Sequence, residues 1–130
     1  MKCMIYGEYL GDNSTTIKEL KDKVQIFCEE RDWDQFHNPK DLAIGVVTEA
    51  SELLDIFRFK RDEDIKKIMS DPKKREKVGE EVADILYFLL RFAQMNDFDL
   101  SEELDKKLEK NNHNYPVEKA KGSNKKYNEV

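Results

Sequence analysis

Cysteine, glycine and proline are scarce in this sequence, with 2, 5 and 3 copies among 130 residues. Cys3 and Cys28 form no CxxC motif and no framework of pairs, which excludes a disulfide-stapled fold and favours a reducing compartment. So little glycine and proline disfavours a turn-rich all-β fold. No apolar run approaches the roughly 20 residues that span a bilayer, and no N-terminal stretch resembles a signal peptide. We therefore expect a soluble, cytoplasmic protein that does not enter membranes.

Basic residues are outnumbered, because 23 Lys and Arg face 28 Asp and Glu and leave a net charge of −5. That balance argues against a protein that binds nucleic-acid polymers, which would carry a basic patch. Charged residues make up 39% of the chain and apolar residues 38%, which is enough for a helical domain coated with charge. A chain of 130 residues suits one domain of ordinary size.

Apolar residues at helical spacing predict an all-α protein, a four-helix bundle-like protomer with one extra short helix. The predicted helices span about 16–31, 38–57, 62–69 (the short one), 71–95 and 101–115. A residue that favours the N-cap position begins each main helix. These expected N-caps are Thr16, Asn38, Asp71 and Ser101. We expect residues 1–15 to form an irregular arm, 16–116 the domain, and 117–130 a flexible polar tail.

Acidic residues interrupt the apolar stripes of two predicted helices. On a wheel of about 100° per residue, Glu49 falls inside the apolar arc of the helix over 38–57, and Glu52 lies at its edge. Glu81 falls between two phenylalanines of the helix over 71–95, and Asp84 follows it by three positions. Because residues at i and i+3 project from one face, each helix offers a pair of acids. The 28 residues between Glu52 and Glu81 allow the second helix to return antiparallel onto the first.

Four carboxylates that face one another need a counter-charge, since a buried carboxylate is costly without a cation or a metal. Oxygen ligands suit Mg²⁺ or Mn²⁺ better than zinc, and Mg²⁺ commonly takes further ligands from substrate phosphates. The sequence therefore indicates a magnesium site for a phosphate-bearing substrate. The plain alternative is chance, because a chain with 28 acids also forms such pairs on solvated faces. A di-iron bundle needs Glu-x-x-His motifs, and neither His37 nor His113 completes one.

The acid pairs, with 28 residues between them, resemble the all-α nucleoside triphosphate pyrophosphohydrolases, the MazG-like superfamily, and within it the small dCTP pyrophosphatase type. The likeness covers about residues 16–116, in order and with helical context preserved. The segments that carry it are 31–40 (RDWDQFHNPK), 49–53 (EASEL), 57–60 (FRFK), 80–87 (EEVADILY) and the ending Lys107-x-x-x-Asn111-x-x-x-Tyr115-Pro116.

The resemblance implies an enzyme that splits a nucleoside triphosphate, such as dCTP or a modified dNTP, into the monophosphate and pyrophosphate, as housekeeping of the nucleotide pool. Glu49, Glu52, Glu81 and Asp84 would hold Mg²⁺, with Mn²⁺ as a substitute. A metal-activated water would attack the α-phosphorus, and which acid takes its proton stays open. Family members are dimers or tetramers, so a homodimer or homotetramer is implied as well.

The resemblance also assigns residues to the phosphates and sugar of the substrate. Lys107, Asn111 and Tyr115 recur at i, i+4 and i+8, so they share one face of the last predicted helix. Lysine would supply charge to a phosphate, and the other two would supply hydrogen bonds. The alternative is that Lys107 and Asn111 are ordinary surface residues in a lysine-rich stretch.

Four more residues are assigned to the nucleoside. Trp33 and Phe59 match positions where the family stacks a base between aromatic rings, although a lone Trp33 would equally suit the core. Phe88 stands where the family usually has a tyrosine near the deoxyribose, and a tryptophan is common in place of Phe59. Both departures keep a stacking surface but alter hydrogen bonding, so a preference for cytosine stays open. His37 either contacts the base or caps the following helix.

Two other functions stay open on the sequence. One is a hydrolase of dUTP or of a damaged nucleotide, which would share the fold and differ in the base pocket. The other is a non-catalytic helical module for oligomerisation or partner binding, with vestigial acids. The intact acids argue against the module, because loss of function would remove the reason to bury them.

Overall fold

The structure is a computed structural model that describes residues 9–129. Residues 1–8 of the predicted arm, and Val130, lie outside the described part. The chain divides into two compact units, the first ending at Asp97 and the second beginning at Phe98. No strand occurs within residues 9–129, so the predicted all-α class is confirmed.

The described part of the first unit, residues 9–97, contains four α-helices joined by short connections. Helix α1 spans Ile17–Glu29, α2 Pro39–Phe57, α3 Asp62–Ser70 and α4 Pro72–Met95, and 3₁₀ turns lie at Asp12–Ser14 and Asp34–Phe36. Helix α3 is the predicted short helix, and it ends at Ser70, one residue beyond the predicted end. The 3₁₀ turn at Asp34–Phe36 lies between the first two predicted helices, where the sequence predicts no helix.

Three helices of the first unit begin where the sequence predicts. The side chains of Thr16, Asn38 and Asp71 accept hydrogen bonds of 2.9–3.1 Å from backbone N–H groups three residues ahead. Each bond satisfies one of the donors that a helix start leaves free. Pro39 and Pro72 follow directly at the first helical position, where a missing N–H costs no intrahelical bond.

Helix α4 is the centre of the first unit, because α1, α2 and α3 all pack against it, α2 most extensively. The buried apolar side chains are Cys28, Leu42, Ile68, Val78, Leu90 and Ala93. The close packing of α2 on α4 brings together the two helices that carry the acid pairs.

Helices α2 and α4 also expose large apolar side chains. Those with 41–66% of their surface exposed are Ile44, Val47 and Leu54 on α2 and Val82, Leu86 and Leu89 on α4. Single exposed apolar residues are ordinary, whereas contiguous exposed apolar patches mark interaction sites.

The second unit contains α5 (Leu100–Asn114), the short α6 (Val117–Ala120) and a 3₁₀ turn at Tyr127–Glu129. The predicted N-cap of α5 was wrong: Asp99, not Ser101, accepts a 2.9 Å hydrogen bond, from the N–H of Glu102. Both residue types favour the position, and the helix begins at the earlier one. The predicted tail includes α6 and the last 3₁₀ turn, where Tyr127 contacts Tyr115 edge to face at 6.2 Å. Within residues 9–129, none of the helices is long and apolar enough to cross a membrane.

Candidate functional site

Three of the four predicted metal ligands converge between α2 and α4. Carboxylate oxygens of Glu49, Glu52 and Glu81 all lie within 4.8 Å of one another. The i, i+3 spacing turns Glu49 and Glu52 toward the same side of α2, and Glu81 faces them from α4 with 2% of its surface exposed. We call Glu49, Glu52 and Glu81 the acid cluster. Asp84 follows Glu81 by about one turn and lies outside this cluster. Its charge still reaches the cluster, because it contributes to the raised pKa of Glu49.

The electrostatics of the acid cluster are uneven. Removal from water, followed by the negative charge of Glu52, raises the pKa of Glu49 above its usual range. The pKa of Glu81 is lowered instead, because the Lys77 ammonium donates to its Oε1 over 2.7 Å. One exposed lysine therefore balances part of the charge of a cluster of three acids.

The cluster has oxygens left for a cation. Within residues 9–129, Oε2 of Glu49 and Oε2 of Glu81 are buried and receive no hydrogen bond. A buried carboxylate oxygen without a partner carries a desolvation cost, which a bound cation would offset. An all-carboxylate donor set is the chemistry that Mg²⁺ and Mn²⁺ prefer, so the residues present fit the metal that the sequence indicates.

An aromatic cavity of about 490 Å³ lies beside the acid cluster. Its lining residues are Lys23, Val24, Phe27, Trp33, Asp84, Tyr87 and Phe88. Asp84 lines the cavity and also acts electrostatically on Glu49, so the cavity adjoins the acids. Trp33 and Phe88, which the sequence assigns to the nucleoside, therefore both line this cavity next to the acid cluster. Trp33 is partly exposed and meets Phe27 edge to face at 5.7 Å, which leaves ring surface for a ligand.

Sequence reasoning missed four residues of this cavity. Val24 and Phe27 have the spacing of core residues on α1, and nothing in the pattern sets them apart. The sequence assigns no site role to Tyr87, which lies in the segment 80–87, or to Lys23. The Tyr87 hydroxyl lies 3.1 Å from Sγ of the fully buried Cys28, and burial followed by this contact raises the pKa of Tyr87.

A buried arginine fixes the loop that carries Trp33. Arg91 of α4 has no exposed surface, and its Nε donates to Nδ1 of His37 over 2.9 Å. Its other nitrogens donate to Asp34 and Gln94. The charge at position 91 among apolar neighbours was a signal available in the sequence, and it was not used. Burial, and then the Arg91 charge, lowers the pKa of His37.

His37 does not cap α2, so that alternative was wrong. The N-cap is Asn38, whose side chain accepts from the backbone of Asp41, and the 3₁₀ turn before it directs His37 inward to Arg91. Contact of His37 with a base stays a prediction. The rings of His37 and Trp33 are 6.1 Å apart, so the histidine lies beside the cavity wall.

The remaining predicted residues belong to the segment after α2 and to the second unit. Phe59, just after α2, is 91% exposed and is not among the residues that line the aromatic cavity. The Arg58 guanidinium lies 4.5 Å from the centre of its ring. Lys107 and Asn111 lie on α5, and Tyr115 is its C-cap, whose N–H donates to the carbonyl of Asn111 over 2.8 Å. These three belong to the second unit, and their role toward phosphates and sugar stays a prediction.

Comparison with known proteins gives consistent matches. The profile of the MazG-like family matches residues 44–130. The chain is 32% identical over 124 residues to dCTP pyrophosphatase 1 of Bos taurus, across 95% of this chain and 73% of that protein. It is 31% identical over 124 residues to dCTP pyrophosphatase 1 of Homo sapiens, with the same coverage. The crystal structure of a pyrophosphatase from Archaeoglobus fulgidus superposes with a TM-score of 0.73 and 30% identity, covering 83% of this chain and 99% of that one.

Proposed function

Because this chain belongs to the MazG-like family and is a nucleoside triphosphate pyrophosphohydrolase, we propose that its substrate is dCTP or a modified dNTP and that its cofactor is Mg²⁺, which Mn²⁺ can replace. The products would be the nucleoside monophosphate and pyrophosphate, and the role would be housekeeping of the cytoplasmic nucleotide pool. The observation that carries the proposal is the acid cluster, with its two unpartnered buried oxygens, beside an aromatic cavity.

The four acidic residues would form the metal site. Glu49, Glu52 and Glu81 would hold the metal, with Asp84 as the fourth acid at the cavity edge. When bound, the metal would neutralise phosphate charge and activate a water for attack on the α-phosphorus.

The aromatic cavity would hold the base. Trp33 and Phe88 offer stacking surface, and stacking tolerates every base because every base has a π-face. The Tyr87 hydroxyl is turned to Cys28, so it is already engaged. The aromatic rings favour a base by shape, and Lys23 and Asp84 supply the charged groups of the lining. A hydrolase of dUTP or of a damaged nucleotide therefore remains the second candidate, separated from the first by relative kcat/KM on a panel of dNTPs.

We also propose that the chain assembles as a homodimer or homotetramer. The six exposed apolar side chains of α2 and α4 lie on the helices that carry the acids, so a second copy covering them would also rigidify the site. Light scattering after size exclusion should give twice or four times 15.4 kDa. Leu86→Glu should shift the mass toward the monomer, and a monomeric wild type would contradict this assignment.

The first experiment is product analysis after incubation with dCTP and Mg²⁺, beside a sample with EDTA. Equal amounts of dCMP and pyrophosphate, formed only without EDTA, are the expected result. Release of orthophosphate and dCDP would show that the chemistry is wrong. No turnover of any dNTP would instead favour the non-catalytic oligomerisation or partner-binding module.

A matched pair of variants tests the acid cluster. Glu81→Gln should abolish turnover and retain the fold, whereas Glu80→Gln, one residue earlier and exposed, should retain activity. Glu49→Gln should behave as Glu81→Gln does. Near-normal turnover in either cluster variant would overturn the proposed metal site.

A further inference from the structure

Four lysines line a cleft at the far end of the acid cluster from the aromatic cavity. The cleft consists of two adjoining cavities, of about 270 and 250 Å³, that share Lys60, Ile68 and Lys74. Asp64 and Lys67 complete the first cavity, and Ile56 and Lys77 complete the second. We call these seven lining residues and the space between them the lysine cleft.

The charge of the lysine cleft is opposite to that of the chain. Four lysines face one acid, Asp64, in a protein of net charge −5. Asp64 is itself engaged by Arg61 at 3.8 Å. Among residues 9–129, the side chains of Lys60, Lys67 and Lys74 make no ion pair. Cations that converge without counter-ions repel one another, and a cleft lined by one sign of charge concentrates ions of the opposite sign.

Lys77 joins the lysine cleft to the acid cluster. It lines the second cavity, and its Nζ donates to Oε1 of Glu81 over 2.7 Å. Along α4, Lys77, Glu81 and Asp84 follow one another at intervals of about one turn on one face. The order along the helix is therefore lysine cleft, acid cluster and aromatic cavity.

That order matches the order of groups in a nucleoside triphosphate. A base in the aromatic cavity and an α-phosphate at the acid cluster would direct the β- and γ-phosphates toward Lys77. The two adjoining cavities, of about 270 and 250 Å³, offer space and ammonium groups to a phosphate-bearing anion. Lysine ammonium groups bind phosphate as point charges and require no fixed geometry.

We propose that the lysine cleft is the subsite for the diphosphate part of the substrate, and that it holds pyrophosphate as the leaving group. The position of the base and the α-phosphate rests on the proposed function, whereas the affinity for a diphosphate anion rests on the lysines themselves. The basic residues of the stretch over 73–77, which are Lys73, Lys74, Arg75 and Lys77, thereby acquire a specific role at Lys74 and Lys77.

The test compares two double variants with the same change of charge on the same helices. Lys67→Gln/Lys74→Gln removes two lysines of the cleft, and Lys66→Gln/Lys73→Gln removes their neighbours, which line neither cavity. Binding of inorganic pyrophosphate is measured by calorimetry in Mg²⁺, with dCMP as the second probe. All exchanged lysines are exposed, so both variants should fold.

We expect the cleft variant to bind pyrophosphate at least about tenfold more weakly, and the neighbouring variant to stay within about twofold of the wild type. Affinity for dCMP, which lacks the diphosphate, should be equal in all three proteins. Lys67→Arg/Lys74→Arg should restore pyrophosphate binding. Equal losses in both double variants, or no binding of pyrophosphate by the wild type, would overturn the subsite.

The two proposals fail separately. A protein that cleaves no dNTP, yet loses pyrophosphate affinity only in the cleft variant, would retain the anion site and lose the proposed substrate. A protein that cleaves dCTP while both double variants bind pyrophosphate equally would retain the proposed function and lose the cleft.

Discussion

The ring of Phe88 on α4 lies directly against the backbone of Gly45 on α2. A Cβ atom at position 45 would overlap three carbon atoms of that ring. Glycine at this position therefore lets the two central helices approach and sets where Phe88 enters the aromatic cavity. Packing between α2 and α4 and the shape of the candidate base site depend on the same contact.

Gly45→Ala should disturb both the packing of α2 on α4 and the shape of the aromatic cavity. The new methyl group forces Phe88 to move, and we expect a loss of about 1–3 kcal/mol in the free energy of unfolding, together with a raised KM for dCTP. Urea unfolding and steady-state kinetics measure the two effects. Gly79→Ala on α4 is the control, because nothing lies within 4 Å of the added Cβ. It should leave KM unchanged and gain up to about 1 kcal/mol from helix propensity. Equal behaviour of the two variants would contradict the role of Gly45.

Lys77→Met should make the protein more dependent on metal. Without the 2.7 Å bond from Lys77, the buried Glu81 loses its cation, so we expect Tm in EDTA to fall. Added Mg²⁺ should then raise Tm more in the variant than in the wild type, since the metal becomes the main counter-charge of the acid cluster. Thermal unfolding with and without Mg²⁺ gives both values.

Lys106→Met is the control for that experiment. Lys106 also donates to a glutamate four residues away over 2.7 Å, but Glu102 is an exposed partner. Exposed ion pairs contribute little, so this variant should leave Tm and its response to Mg²⁺ nearly unchanged. An equal Mg²⁺ response in both variants would mean that Lys77 does not compensate for the missing cation.

Local rules predicted most of the fold. Thr16, Asn38 and Asp71 mark helix starts because an N-cap bond involves only residues three positions apart. The acid pairs could be found in the same way, since i, i+3 spacing and an apolar stripe reveal a carboxylate on the wrong face. Where two residues satisfy the same local rule, as at the start of α5, the sequence pattern did not separate them.

Contacts between distant parts of the chain were not predictable from spacing. Arg91 and His37 are 54 positions apart, and Cys28 and Tyr87 are 59 apart, so no periodic pattern connects them. The same is true of the lysine cleft, whose members come from three separate segments of the first unit. Such sites depend on how helices pack, and each member taken alone has the appearance of an ordinary surface or core residue.

His37 should make stability depend on pH below neutrality. Its Nδ1 accepts from Arg91, and burial and the Arg91 charge lower its pKa below the usual 6.5, against a smaller opposite effect of Asp34. The unfolded chain therefore takes up the proton first as pH falls. The contribution of His37 is fully present above pH 6.5 and is lost as pH falls below it toward the folded pKa.

His37→Asn, which retains an acceptor near Nδ1, should flatten the fall of Tm between neutral pH and pH 5. His113→Asn is the control, because His113 is exposed on α5 and should leave the profile as in the wild type. A wild-type slope in the His37 variant would show that the Arg91 contact does not control the response.

We expect Phe59 to destabilise the fold and to serve in nucleotide binding instead. It follows the C-cap of α2 with φ at +63°, a left-handed conformation that favours glycine. An L-residue there costs roughly 1–2 kcal/mol, and a ring that is 91% exposed recovers little of that by packing. Phe59→Gly should therefore unfold at higher urea concentration, with a gain of up to about 1 kcal/mol after the added entropy of the unfolded chain.

The same variant should bind nucleotide worse if the ring stacks on a base. Loss of one base–aromatic stack is worth about 1–3 kcal/mol, so KM for dCTP should rise about 5- to 150-fold. Asp97→Gly is the control, because Asp97 has φ at +57° in the corresponding position after α4. It should gain less stability, since aspartate tolerates this conformation better, and should leave KM unchanged. A stabilised Phe59→Gly protein with wild-type KM would show that the exposed ring does not bind the base, and would leave Trp33 and Phe88 as the stacking surface.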